Sequence, residues 1–113
     1  MIINLRQNYE ILVPSKEQQL ITQKFVFTQL KLEIDKMRPI PTGYVIGGDG
    51  ILGELCINVD EAMWVVYYCE RGERYNCAFF PGSINAANYF LGELIRINHG
   101  GVQAQPFLKR AMP

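Results

Sequence analysis

The sequence of 113 residues predicts a single α+β domain, in which an antiparallel four-stranded meander sheet is flanked by a long N-terminal helix and a C-terminal helix. Apolar residues recur with a helical period in two stretches, and residues 43–80 between them are rich in β-branched and aromatic residues. The links between the β-rich runs are short. Short links favour antiparallel pairing, because a parallel crossover usually needs about a dozen residues or more.

The first helix is predicted over residues 15–37. Ser15 is its expected N-cap, whose hydroxyl accepts a hydrogen bond from the third helical amide, and Gln18 completes a capping box. Pro39 ends the helical pattern, since proline has no backbone N–H to donate. Residues 1–14 alternate only weakly between apolar and polar, and are predicted to be irregular or to form a short strand.

This first helix is more apolar than one buried face requires. Its main stripe recurs at helical spacing and consists of Leu20, Phe27, Leu30, Ile34 and Met37. Ile21, Phe25 and Leu32 widen the stripe. These three side chains either pack in the core of the domain or form the contact surface of a homodimer.

Four antiparallel strands are predicted over residues 43–80. Residues 48–50 (Gly-Asp-Gly) provide the turn of the first hairpin, because Asp-Gly readily adopts the positive φ values of a tight turn. Met63–Cys69 is apolar on both faces, which predicts a strand near the middle of the sheet. The charged turn Glu70–Arg74 connects it to a last strand that ends at Phe80.

The second helix is predicted over residues 83–98. Pro81 and Gly82 end the sheet, and Ser83 is the expected N-cap. Residues 101–113 show no periodicity and are predicted to form a loosely ordered tail.

Acidic and basic residues are equal in number, 11 of each, so the chain as a whole offers no basic footprint to nucleic acid or to an anionic membrane. Their distribution is uneven. Residues 39–80 hold six acidic and two basic side chains, whereas residues 1–38 hold six basic and four acidic, and residues 81–113 three basic and one acidic. An acidic sheet between basic flanks repels nucleic acid and suits a basic protein partner.

The three cysteines, Cys56, Cys69 and Cys77, are odd in number and lack a Cys-x-x-Cys spacing, which favours a reducing compartment. A disulfide between Cys69 and Cys77 across the hairpin is the alternative. The sequence shows no signal-peptide pattern and no apolar run of the roughly 20 residues that a membrane span needs. We therefore expect a cytoplasmic protein without membrane contact.

Candidate chemical motifs are weak. Residues 48–53 match the spacing Gly-x-Gly-x-x-Gly, but they lead into a predicted strand instead of a helix whose N–H groups would bind a pyrophosphate. The single histidine, His99, lies at a predicted helix end, so the cysteines lack an evident general base and a metal lacks a ligand set. The sequence predicts no catalytic residue, no cofactor and no metal site.

A pattern in the second half of the chain resembles a known family. Residues 67–75 read Tyr-Tyr-Cys-Glu-Arg-Gly-Glu-Arg-Tyr, residues 79–80 Phe-Phe, and residues 86–91 Ala-Ala-Asn-Tyr-Phe-Leu. The pattern is similar to that of small immunity proteins encoded beside bacterial polymorphic or contact-dependent growth-inhibition toxins. The likeness covers residues 43–97 and rests on structural residues. Cys69 stands where the family more often has Ser.

The resemblance implies a protein that is not an enzyme. Such a protein binds the C-terminal toxin domain of its cognate effector, often a nuclease and in some cases an EndoU-like ribonuclease, and blocks it. An acidic face over a basic substrate cleft would steer and occlude the toxin. The alternative, from the residues alone, is a small-molecule-binding or regulatory α+β module with a pocket between sheet and helix. A small cysteine enzyme is the third reading.

Charge and loop position select the expected contact residues. They are Glu54, Asp60, Glu61, Tyr68, Glu70, Arg71, Glu73, Arg74 and Tyr75. Two roles are open for Arg71 and Arg74 within the turn. They either bind a phosphate or a carboxylate of a partner, or form ion pairs with neighbouring glutamates. Each such exposed ion pair contributes about 0–1 kcal/mol to stability.

Overall fold

The computed structural model describes residues 15–99 as an α+β arrangement of two helices and one four-stranded sheet. In chain order the elements are α1 (Lys16–Asp35), β1 (Tyr44–Ile46), β2 (Leu52–Asp60), β3 (Met63–Glu70), β4 (Glu73–Phe80) and α2 (Ser83–His99). The predictions for residues 1–14 and 101–113 lie outside the described part of the chain.

The sheet is mixed, so the prediction of a fully antiparallel meander is wrong. The strands lie in the order β1-β2-β3-β4, and β3 pairs antiparallel with both neighbours. However, β1 runs parallel to β2, with Tyr44 opposite Leu55 and Ile46 opposite Ile57. Residues 48–50 are therefore part of a parallel crossover, not a hairpin turn.

A five-residue crossover is sufficient because β1 is only three residues long and pairs with the middle of β2. The last residue of β1, Ile46, is level with Ile57 of β2. The chain must therefore run back from the level of Ile57 to the start of β2 at Leu52, a distance of five residues or about 17 Å. The six peptide links from Ile46 to Leu52 reach about 20 Å when extended. Residues 47–51, here called the crossover loop, thus need no helix to make the connection.

The central position of β3 is confirmed. It lies between β2 and β4, and both of its faces are buried. One face points to the helices, where a large core forms from Leu30, Ile34, Leu55, Ile57, Trp64, Val66, Ala86, Phe90, Leu91 and Leu94. The other face carries a smaller cluster of Cys56, Val65, Tyr67 and Cys69, with Val45 packed against it.

The helix termini follow the local sequence closely. The Ser15 hydroxyl accepts a hydrogen bond from the amide of Gln18 at 3.1 Å, which confirms the predicted N-cap. α1 ends at Asp35, two residues before the predicted boundary. At the second helix, Ser83 is already helical and the Gly82 carbonyl accepts from the amide of Ala86, so Ser83 is not the N-cap. No helix among residues 15–99 is long and apolar enough to cross a membrane.

Candidate functional site

The nine residues expected to contact a partner do not form one continuous site. Glu54, Glu70, Arg71 and Glu73 gather around the β3–β4 turn, and we call this group the acidic end. Glu61 lies in the β2–β3 turn at the opposite end of the sheet. Asp60 and Arg74 pair with each other on the sheet face away from the helices, and Tyr68 points towards α2.

The acidic end brings like charges together. Glu70 and Glu73 are direct cross-strand partners next to the turn. Glu54 is opposite Cys69, the residue before Glu70, so its side chain points to the other face of the sheet. Like charges directly opposite each other destabilise a sheet. Tyr75, which is about half exposed, donates a hydrogen bond from its hydroxyl to Glu73 at 3.0 Å.

Glu54 is held in position by the backbone. Its Oε1 accepts hydrogen bonds from the amides of Leu52 at 2.8 Å and Ile51 at 2.7 Å. These bonds hold the pKa of Glu54 below its usual value, with the Leu52 amide as the largest cause. The carboxylate is therefore ionised at neutral pH and contributes fixed negative charge to the acidic end.

The β3–β4 turn has an unusual backbone. Arg71 and Gly72 both have positive φ, 53° and 83°, as a two-residue hairpin turn of the type I′ class requires. Asn, Asp or Gly are the usual residues at the first of these positions, and a side chain such as arginine adopts positive φ at a cost of about 1 kcal/mol. Glu61 and Asn76 also have positive φ, so this conformation reflects the geometry of the turn.

Arg74 faces inwards instead of out from the turn. Its Nη1 lies 2.6 Å from Oδ2 of Asp60 and its Nη2 lies 3.6 Å from Oδ1 of Asp49. The guanidinium also stacks over the ring of Tyr67, 4.2 Å from the ring centroid. The side chain is only 32% exposed, so local pairing describes Arg74 better than contact with a partner.

Tyr67 is the centre of a polar cluster under the crossover loop, here called the Tyr67 network (Asp49, Asn58, Asp60, Tyr67 and Arg74). Its side chain is fully buried, and its hydroxyl donates to the Asp49 carboxylate through a short hydrogen bond. Asn58 Nδ2 donates to the same hydroxyl at 3.2 Å and to the Gly48 carbonyl at 3.4 Å. Burial raises the pKa of Tyr67 above its usual value, so the phenol stays protonated and remains a donor.

Tyr68 takes part in a separate group on the helix side. Its hydroxyl donates to Oε2 of Glu93 at 2.7 Å, and Arg96 binds both oxygens of the same carboxylate at 2.6 and 2.9 Å. Burial, followed by the bond to Glu93, raises the pKa of Tyr68 to about 12. The Arg96 bond, with help from Tyr68, lowers the pKa of Glu93. This group fastens α2 to β3, and Tyr68 is therefore not placed to contact a partner.

The cysteines are all free, and the disulfide between Cys69 and Cys77 is not formed. Cys56 and Cys69 are buried in the smaller core cluster, whereas Cys77 is exposed on β4. Burial, and then the proximity of Cys69, raises the pKa of Cys56 to about 11, so this thiol is protonated at neutral pH. Among residues 15–99 no group of three His, Cys, Asp or Glu side chains is placed to hold a metal ion.

Two features were missed at the level of sequence. The crossover loop brings Asp49 onto the same face as Asp60 and Arg74, although residues 49 and 60 were assigned to different turns. Glu93 and Arg96 were treated only as helix residues. Their spacing of three positions on one helix could have predicted an ion pair. Nothing in the sequence pattern predicted the Tyr67 network, because it depends on the parallel crossover.

An apolar groove lies between the two helices. It has a volume of about 220 Å³, and its walls come from residues 25–33 of α1 and 83–91 of α2. The pocket anticipated for a small-molecule binder was between the sheet and a helix. This groove is instead formed by the helices alone and is open to solvent.

Comparison of the chain with protein-family models, with curated proteins and with solved structures found no match in any of the three.

Proposed function

We propose that this protein is an immunity protein that binds the C-terminal nuclease domain of a cognate secreted toxin and inhibits it in the cytoplasm of the producing cell. The acidic end carries the proposal. It places Glu54, Glu70 and Glu73 around one exposed turn and leaves the facing pair, Glu70 and Glu73, with mutual repulsion that a basic surface would relieve.

The acidic end also explains how inhibition would arise. A nuclease cleft must attract phosphates and is therefore lined with positive charge. A rigid two-residue turn that carries fixed carboxylates can enter such a cleft and exclude the substrate. Among the nine expected contacts, this proposal retains Glu54, Glu70, Arg71, Glu73 and Tyr75 and assigns structural roles to Tyr68, Asp60 and Arg74. Glu61 lies in the β2–β3 turn, at the other end of the β2–β3 pair, and is left out of the proposed contact.

The direct test uses a candidate toxin domain, taken from a gene next to the one that encodes this protein. We expect a stable complex in calorimetry and loss of nuclease activity on RNA or DNA when this protein is in molar excess. Association should slow as salt increases, because electrostatic steering is screened. Full nuclease activity in the presence of excess protein would refute the proposal.

A charge-neutral double variant locates the contact. Glu70→Gln with Glu73→Gln keeps the size of both side chains and relieves their repulsion, so the fold should be as stable or slightly more stable. We expect the association rate with the toxin domain to fall by about tenfold at low salt. Glu61→Gln at the opposite end of the sheet is the matched control and should leave the rate unchanged. Equal effects of the two variants would place the contact elsewhere.

The alternative function, a small-molecule-binding or regulatory module, would rely on the groove between α1 and α2. Its volume of about 220 Å³ is below the roughly 300–1,000 Å³ of typical ligand pockets. A thermal-shift screen that gave one strong metabolite, with the shift abolished by Leu91→Trp in the groove wall, would favour this function.

A further inference from the structure

The first half of α1 leaves its apolar residues uncovered. Leu20 is 63%, Ile21 56% and Phe25 63% exposed, and none of the described residues 16–25 is buried. The helix packs on the core only from Val26 onwards. Of the two readings of the wide apolar stripe, packing in the core formed by residues 15–99 therefore does not account for Ile21, Phe25 or Leu32.

The groove between the helices continues this apolar surface. Phe25 is one of its walls, Leu30 and Leu91 lie deeper, and Ile84 at the start of α2 is 66% exposed beside it. A projecting apolar helix and a neighbouring apolar groove are complementary shapes on one chain. In a two-fold dimer each chain supplies both the helix and the groove, so each is covered by the other chain.

We propose that a second copy of this chain covers the surface, with the two α1 helices antiparallel and the Ile21 side chain of each entering the groove of the other. In a two-fold arrangement centred near Phe25, Ile21 of one chain is level with Gln29 of its partner, and Gln29 lines the groove. A helix of 20 residues is about 30 Å long, so the contact can run along the whole of α1.

The exposed apolar area matches what a dimer needs. The side chains concerned are Ile21, Phe25, Leu32 and Ile84. From their exposed fractions they present on the order of 400 Å² per chain. Two such patches supply about 800 Å² of apolar area, and because apolar atoms make up roughly 60% of an interface, the total reaches the roughly 1,200 Å² at which specific protein interfaces begin.

The charges around the surface do not oppose self-association. Glu17, Lys24, Lys31 and Glu33 lie along α1 and carry two charges of each sign, and Glu33 is compensated within its own chain by Lys36 at 3.4 Å. The chain as a whole has no net charge. Two copies therefore meet without the long-range repulsion that keeps highly charged proteins apart.

The test is the molar mass of the full chain across a range of concentrations, measured by analytical ultracentrifugation or light scattering after size exclusion. We expect a concentration-dependent dimer, and Phe25→Glu should weaken the dimer by on the order of a hundredfold, since the change occurs twice in a two-fold interface. Leu52→Glu is the matched control. Leu52 is also an exposed apolar residue, 80% accessible, but it lies on β2, away from the helices, and its variant should remain dimeric.

A second variant, Ile84→Glu, tests the groove from the other helix. Glutamate is favourable in the first turn of a helix, so α2 should fold normally and only the dimer should weaken. Circular dichroism confirms folding of each variant. A wild-type chain that is monomeric at every concentration would overturn the proposal. That result is expected if residues 1–14 of the same chain cover α1. A Phe25→Glu or Ile84→Glu variant that is folded but as strongly dimeric as the wild type would also overturn the proposal. The measurement requires no toxin, so its outcome is separate from that of the proposed function.

Discussion

The two faces of the sheet are stabilised in different ways. The face towards the helices is covered by a large apolar core that includes Phe90 and Leu94, both fully buried. Among residues 15–99, the opposite face has a cluster of four buried side chains, covered in part by the crossover loop and the Tyr67 network. Apolar packing is sensitive to the loss of side-chain volume but does not depend on the direction of individual contacts. The loop side depends on individual hydrogen bonds and on the small size of glycine.

The largest effect is expected on the helix side. Phe90→Ala removes a fully buried ring that packs edge-on against Tyr44, with 6.3 Å between ring centroids, and should lower the free energy of unfolding by about 3–5 kcal/mol. Chemical denaturation measures this change. Ile97→Ala on the same helix, where the side chain is 40% exposed, is the control and should cost much less. Similar losses at both positions would mean that α2 is not anchored through Phe90.

The second effect concerns the crossover loop. A Cβ at Gly50 would collide with the Glu54 carboxylate and lie 3.1 Å from the backbone oxygen of Cys69, so Gly50→Ala should destabilise by about 1–3 kcal/mol. Gly82→Ala is the matched control, because a Cβ there meets nothing within 4 Å and its φ is not positive. Because Gly82 is the N-cap of α2, where alanine is less favourable than glycine, that variant should still cost only about 0.5 kcal/mol. A Gly50→Ala variant as stable as the control would show that the loop does not lie against β2 and β3.

The third effect measures a single hydrogen-bonding group. Tyr67→Phe removes the hydroxyl that bonds to Asp49 and Asn58 but keeps the ring under Arg74, and we expect a loss of about 1 kcal/mol. Tyr75→Phe makes the same chemical change at an exposed hydroxyl and should have almost no effect. Thermal denaturation of both variants gives the comparison. An equal, negligible effect of the two would mean that the Tyr67 network adds nothing to stability.

The smallest effect is a dependence on pH. The pKa of Glu93 is lowered in the folded protein, so its contribution is present above the unfolded pKa of about 4.3 and is lost as the pH falls through the lower folded value. Because Arg96 is about half exposed, we expect the contribution to be below about 1 kcal/mol.

Glu93→Gln should therefore flatten the fall in stability below about pH 4 relative to the wild type. Arg96→Gln, which removes the guanidinium that lowers the pKa of Glu93, should flatten the same acid limb. If both variants kept the slope of the wild type, Glu93 would not be an acid-sensitive contact between α2 and β3.

Local sequence was sufficient for much of the fold. The capping residue Ser15, the helical periods of α1 and α2 and the apolar character of β3 on both faces each depend on neighbours within a few positions. The acidic character of the β3–β4 turn was equally visible. The predicted turn Glu70–Arg74 is, however, a two-residue turn in the structure, because Glu70 ends β3 and Glu73 begins β4.

Tertiary structure decided the rest. Whether β1 pairs parallel or antiparallel depends on where three residues meet a partner strand, and the length of the link alone favoured the wrong answer. The same choice placed Asp49 over Tyr67 and turned Arg74 towards Asp60 and away from solvent. The exposure of Phe25 was likewise undetermined, because the helical period gives the direction of a side chain but not the extent of the core that it faces.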